Sequence, residues 1–114
     1  AGASVLLACR DDAKSAAVAG ELGGASAAVT RRTLDLSDLS SVAAFAESER
    51  REQLAGAKPP MLLVNNAGVW PSAGRTVGAG FEEAFVVNAI GPWLLTRLLM
   101  DQMGREGRVI YVGP

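Results

Sequence analysis

The sequence predicts an α/β fold in which parallel strands are covered by helices. Three observations predict it. Short apolar runs alternate with longer amphipathic stretches in the order strand, helix, strand, helix, strand, helix, strand. The runs SVLLAC, MLLV and RVIYV are nearly continuous in their apolarity, as strands buried on both faces are. The stretches between runs are long enough for the crossover helices that parallel strands require. Such crossovers are right-handed, and ligands bind outside the carboxyl ends of the strands. The residues to inspect are therefore Arg10, Asp35, Asn65 to Gly68, and Gly113.

Each element has a local reason. Ser4 to Cys9 is a short apolar run suited to a buried strand. Asp11 to Leu22 is Ala-rich and reads as a helix, with Asp11 or Asp12 to cap it and Gly23-Gly24 to end it. Ala27 to Leu34 is strand-like through its β-branched Val29, Thr30 and Thr33. Ser37 or Asp38 is placed to cap a helix that runs to Ala55. One face of that helix carries Leu39, Val42, Phe45 and Ala46. Its far face carries Glu47, Glu49, Arg50, Arg51 and Glu52, the charge run of a solvated surface. Pro59-Pro60 interrupts the chain before a third buried strand at Met61 to Val64. A glycine-rich loop follows, with Gly68, Pro71, Gly74, Gly78 and Gly80. Phe81 to Met103 has helical apolar spacing, and Arg108 to Val112 is the fourth strand. No repeat, low-complexity linker or boundary interrupts this order, so residues 1–114 read as one domain.

Composition excludes several classes of function. Hydrophobic residues make up 49% and charged residues 20%, a globular balance. The net charge is −1 with Arg and Lys dispersed, so there is no nucleic-acid footprint. The single Cys9 excludes an internal disulfide framework and fits a reducing compartment. No apolar run approaches the ~20 residues that span a bilayer. No signal peptide is visible, which leaves cytoplasmic and membrane-associated intracellular locations open. The chain has no histidine, which removes Ser-His-Asp and Cys-His nucleophilic sites and the usual zinc sites, so no metal is expected. Any chemistry must use carboxylates, hydroxyls, Lys or a bound cofactor.

The residues at the strand ends each admit two readings. Arg10 is either a surface ion-pair residue or, in a dinucleotide-binding fold, the fork that favours the 2′-phosphate of NADP. Asp11 would repel a phosphate if it pointed inward. Asp35 is either a turn acid capping nearby amides or an acceptor for an adenine amino group. The tetrapeptide Asn65-Asn66-Ala67-Gly68 is either an Asn-rich turn or a ligand-lining loop. In the second reading the amides bond backbone, and Ala67 and Gly68 let a ligand approach closely. Pro92 lies inside the last helical stretch, where proline costs ~3 kcal/mol. It removes its own amide and crowds the carbonyl of Asn88, freeing one acceptor. Alternatively, the helix breaks at Gly91 and Pro92 opens a second helix.

The segments LLACRD, LDLSDLSSV, LLVNNAG, VVNAIGPWLLT and GRVIYV come in the order and spacing of the short-chain dehydrogenases/reductases. The resemblance spans nearly the whole chain. The ACRD opening and the VN-x-x-G-x-x-LLT helix resemble the retinol dehydrogenase-like branch. It implies a Rossmann-like doubly wound parallel sheet, of which this chain supplies the central portion, a partial NAD(P)-binding domain. It implies an NADP-dependent oxidoreductase, NAD being the less favoured cofactor. The substrate would be an alcohol/carbonyl pair, lipophilic in the manner of a retinoid or steroid. Position by position, Arg10 resembles the residue that binds the 2′-phosphate. Asp35 with the backbone of Leu36 resembles the adenine contact. Asn65, Asn66, Ala67 and Gly68 resemble the segment that supports the central strand and lines the adenosine ribose. Asn88 resembles the Asn of an Asn-Ser-Tyr-Lys tetrad. In the family, Tyr is the general acid/base, Lys lowers its pKa and Ser orients the carbonyl. The helix is kinked at the Asn, whose main-chain carbonyl holds a water of the proton relay. The helix from Phe81 resembles one that meets a second subunit in a homodimer, with Val86, Trp93, Leu94 and Leu98 as contacts. Ordinary core is the competing reading for those four.

Three departures qualify the resemblance. The TGxxxGxG turn and the strand before it do not occur. No YxxxK pair occurs, since neither Lys14 nor Lys58 has the required spacing to Tyr111. Pro114 stands where the family's Ser is expected, and proline has no hydroxyl to hold a carbonyl. The chain therefore reads as a fragment, either of an active parent or of a non-catalytic relic or interaction module. A nucleotide-sugar epimerase is less favoured because of the NNAG loop. In the family's strand order the missing strand lies between Ser4–Cys9 and Met61–Val64, leaving both without backbone partners. The isolated chain is accordingly expected to be inactive and to bind NADPH weakly or not at all. A thermal-shift titration checks this. Stabilisation near the ~2.7 kcal/mol that ligand at a hundred times Kd confers would overturn it.

Overall fold

The computed structural model describes residues 4–23, 28–70, 74–78 and 80–113. Gly24, Ala27, Pro71 and Pro114, which figure in the sequence reading, lie outside the described residues. The chain forms two compact units, Ala1–Asp35 and Leu36–Pro114.

The first unit is a strand–helix–strand crossover. β1 (Ser4–Cys9) and β2 (Ala28–Thr33) pair in parallel, with Ser4 opposite Ala28 and Cys9 opposite Thr33. α1 (Asp12–Gly23) connects them. Of the two acids that could cap α1, Asp11 does so: its Oδ1 accepts from the Lys14 amide at 3.0 Å. Asp12 instead pairs with Arg31 of β2 at 2.8 Å, and Arg31 also donates to the Asp12 carbonyl at 3.1 Å. That pair is largely exposed and worth at most ~1 kcal/mol. β1 is not buried on both faces as its composition predicts. Its residues alternate between exposed and half-buried, because one helix covers one face and leaves Leu6 open on the other.

In the second unit, α2 (Leu39–Leu54) starts at Asp38, whose Oδ1 accepts from the Ser40 amide at 2.9 Å. Val42, Phe45 and Ala46 are buried, as their spacing requires. Leu39, expected on the same face, is exposed, since it lies in the first turn and beyond the contact with the core. On the far face Glu47 pairs with Arg50 at 2.8 Å and Arg51 at 3.4 Å. The Arg50 hydrogen bond holds the Glu47 carboxyl below the usual range, and the paired Arg50 is raised.

β3 (Leu62–Asn65) and β6 (Arg108–Tyr111) pair in parallel, Leu62 opposite Arg108 and Asn65 opposite Tyr111. Arg108 N–H donates to the Met61 carbonyl at 2.9 Å and Val112 N–H to the Asn65 carbonyl at 3.0 Å. Here too the expectation of fully buried strands fails: Leu62, Val64 and Ile110 are exposed. β4 (Thr76–Val77) and β5 (Phe81–Glu82) form a short antiparallel hairpin where the glycine-rich pattern and apolar spacing predict a loop and a helix start. Gly78 and Gly80, with φ of 55° and 98°, supply the left-handed backbone its turn needs. Glu83 N–H donates to the Arg75 carbonyl at 3.1 Å, and the two side chains form an ion pair. The helix therefore starts at Glu83 rather than Phe81.

That helix has three parts: α3 (Glu83–Phe85), a wide π turn (Val86–Ile90) and α4 (Gly91–Met103). It neither breaks at Gly91 nor runs as a plain α-helix. Gly91 keeps helical angles (φ −58°, ψ −53°), and its amide donates back to Val86, five residues earlier. The helix thus continues through Pro92 with a widened turn directly before it. Gly91 is obligatory here, because a Cβ would lie 2.5 Å from the Leu36 carbonyl oxygen and 3.0 Å from that of Val86. Leu95, Leu99 and Met103 of α4, with Val86 and Val87, complete the core. α4 packs against α2, where Gln53 Nε2 donates to Gln102 Oε1 at 2.8 Å. α4 ends at Gly104, φ 72°.

Two substitutions separate steric need from helix entropy. Gly91→Ala is expected to destabilise by ~1–3 kcal/mol through overpacking, read as a lower urea midpoint. Gly20→Ala, in α1 with nothing within 4 Å of the new Cβ, is expected to stabilise by ~0.5–1 kcal/mol. The stability from the Glu47 pair is present above the ordinary carboxylate range and lost as pH falls through its lowered pKa. Glu47→Gln should therefore flatten the acid limb of a stability-against-pH curve and weaken its salt dependence.

Candidate functional site

In the first unit, Arg10 follows β1 directly and is exposed. The adjacent Asp11 turns its carboxylate to the α1 amides, so it is committed to the helix it caps. Asp35 is half-buried, two residues beyond the end of β2.

In the second unit, Leu36 brings its main-chain carbonyl into close approach with Gly91. β3 ends at Asn65, which is 8% exposed. A buried amide needs partners, and Asn65 has them. Its Nδ2 donates to Thr96 Oγ1 at 3.2 Å, while its main-chain carbonyl accepts from Val112 N–H. The Tyr111 hydroxyl donates to the same Thr96 oxygen at 2.7 Å. Asn66, Ala67 and Gly68 then follow with exposed surfaces. A Cβ on Gly68 would meet Asn88 Oδ1 at 3.5 Å, ordinary contact, so protein atoms do not crowd this segment.

The next residue is held from the helix. Asn88, inside the π turn, accepts from Val69 N–H through Oδ1 at 2.8 Å and donates through Nδ2 to the Val69 carbonyl at 2.8 Å. The amide thus pairs with a main-chain segment as a neighbouring strand would. Both polar atoms of the side chain are engaged in this clamp. Pro92, four residues on, has no amide to donate to the Asn88 main-chain carbonyl.

The sequence does not single out Thr96 and Val69, and it weighs Tyr111 only against the YxxxK pattern. The signal for Thr96 was present: a hydroxyl on the buried stripe of an apolar helix implies a polar partner nearby. Val86 is corrected as a candidate subunit contact. At 3% exposure it belongs to the core, while Trp93 (60%) and Leu98 (37%) are exposed and Leu94 is half-buried. Among the described residues, no group of three or more His, Cys, Asp or Glu is placed to hold a metal, and no helix is long and apolar enough to cross a membrane.

The family model of the short chain dehydrogenases matches residues 1–113. Retinol dehydrogenase 12 of Mus musculus is 41% identical over 104 residues, covering 90% of this chain and 32% of the relative. Retinol dehydrogenase 13 of Homo sapiens is 39% identical over 108 residues, covering 90% of this chain and 30% of the relative. The chain thus spans about a third of the length of these curated relatives. Among solved structures, a metagenomic short-chain oxidoreductase in complex with NADP is 33% identical, with a TM-score of 0.78 over 96% of this chain and 50% of that one.

The clamp makes a direct prediction. Asn88→Ala leaves both Val69 main-chain groups without their partner and is expected to cost ~1–2 kcal/mol, two net hydrogen bonds. Amide exchange at Val69 reads it out and should accelerate there more than in α2.

Proposed function

Because the chain belongs to the short-chain dehydrogenase family, we propose that it is part of the NADP-binding domain of an oxidoreductase that interconverts an alcohol and a carbonyl. The observation that carries this reading is the Asn88 clamp on Val69, directly after the exposed Asn66–Gly68 segment. It holds the Asn88 side chain against the end of an exposed segment of small and polar residues.

The residues present fit a nicotinamide dinucleotide in their chemistry. Arg10 would take the 2′-phosphate, for which a guanidinium has the matching fork. Asp35 and the backbone of Leu36 would hold the adenine. Asn65 to Gly68 would line the adenosine ribose, where Ala67 and Gly68 offer no side chain to obstruct it. The bound nicotinamide would donate or accept the hydride. Asn88 would hold a water of the proton relay at its main-chain carbonyl, since its side chain is occupied by Val69. Tyr111 is not assigned as the proton donor, because its hydroxyl is bonded to Thr96. The retinol dehydrogenase relatives support a lipophilic alcohol, such as a retinoid or steroid, as the substrate class. A homodimer through the exposed Trp93 and Leu98 is part of the same proposal.

Cofactor choice tests the reading. In the intact protein, Arg10→Ala is expected to raise KM for NADPH by ~10–100-fold, the loss of a charged hydrogen-bond pair, with KM for NADH nearly unchanged. Turnover with neither cofactor on any retinoid or steroid alcohol or carbonyl, or equal losses with both cofactors, would overturn it.

A further inference from the structure

One oxygen outside the residues assigned so far is shared by three elements. Thr96 Oγ1, in α4, accepts from Asn65 Nδ2 at the end of β3 (3.2 Å) and from the Tyr111 hydroxyl at the end of β6 (2.7 Å). A hydroxyl has two acceptor positions, so these two donors saturate it. Asn65 and Tyr111 are register partners across the parallel pair, which brings both donors to the same helix face. Thr96 and Asn65 are both buried, where polar groups need partners, and this bond is one that each has.

The consequence lies in the loop. One helix holds the segment after β3 at both ends: Thr96 holds Asn65 where it begins, and Asn88 holds Val69 where it finishes. Only Asn66, Ala67 and Gly68 lie between, with their surfaces exposed. We infer that Thr96 is a positioning residue for this loop, presetting the Asn66–Gly68 backbone in the shape that receives its ligand. A segment pinned at both ends has little conformational freedom left to lose on binding, so its affinity is gained through preorganisation. Tyr111 extends the device to β6 and makes the end of that strand part of the same support. That the ligand is NADP rests on the function proposed above; the pinning of the loop does not.

The test uses the intact protein and three variants. Thr96→Val removes the hydroxyl at similar shape, Thr96→Ser restores it, and Tyr111→Phe removes one donor at an exposed position while leaving the Asn65 bond. Hydrogen exchange is read at Val69 and Val112, whose amides bond Asn88 and Asn65. KM and kcat are measured with NADPH. Thr96→Val is expected to speed exchange at both amides and to raise KM for NADPH, each by about tenfold, the factor for one lost buried hydrogen bond. The loss falls on KM rather than kcat, and Thr96→Ser recovers both readouts. Tyr111→Phe gives a smaller change at the same two amides, and it keeps the question decidable if Thr96→Val does not fold. Unchanged exchange at Val69 and Val112 in Thr96→Val and Tyr111→Phe would overturn the inference, as would acceleration spread equally through α2 that serine fails to restore. If the unaltered protein binds no nicotinamide cofactor while exchange responds as expected, the proposed function fails and the positioning role stands.

Discussion

Proline has no amide to donate, and the candidate site is arranged around that missing donor at position 92. An α-helix would send that amide to the carbonyl of Asn88. The helix here stays helical on both sides and widens into a π turn over Val86–Ile90, with Gly91 donating back to Val86. The Leu36 carbonyl passes close to Gly91, where a Cβ would stand. A proline, a π turn and a glycine closely approached by another segment thus fall within one stretch of helix around Asn88.

The two ends of Asn88 divide the labour. Its side chain pairs with both main-chain groups of Val69, and its own main chain lies where the ladder is disturbed. The same helix reaches the start of the loop through Thr96. Three small or polar exposed residues are thus tied on both sides, and a segment tied at both ends has less conformational entropy to lose on ordering. In the first unit, Asp11 accepts from the Lys14 amide and so serves as the cap of α1.

Much of this was legible in the chain. Local signals carried well: Ser37 or Asp38 as the cap of α2, of which Asp38 serves, the burial of Val42, Phe45 and Ala46, and the parallel pairing of strands separated by helices. Local signals failed where long-range geometry intervened. Phe81–Glu82 has helical apolar spacing but is drawn into a hairpin by Gly78 and Gly80 and by pairing with Thr76–Val77. Leu6, Leu62, Val64 and Ile110 have the composition of residues buried on both faces, yet each is exposed, because apolarity records what a strand is suited to and not what covers it. Val86 shows the converse, since apolar spacing on a helix does not say whether a residue faces core or partner.

By itself the sequence determined which residue types this chain brings to a site. It has no histidine, it has an NNAG segment at a strand end, and it has an Asn four residues before a helical proline. Those are properties of residue type and spacing, and covalent chemistry settles them. Only the tertiary structure decided how they are used: that Asn88 bonds Val69, that Thr96 joins Asn65 to Tyr111, and that the helix widens instead of breaking. Each of these joins residues at least 15 positions apart or depends on a neighbour such as Leu36 approaching Gly91. No local pattern encodes such meetings, because they follow from how the strands and the helix settle against one another.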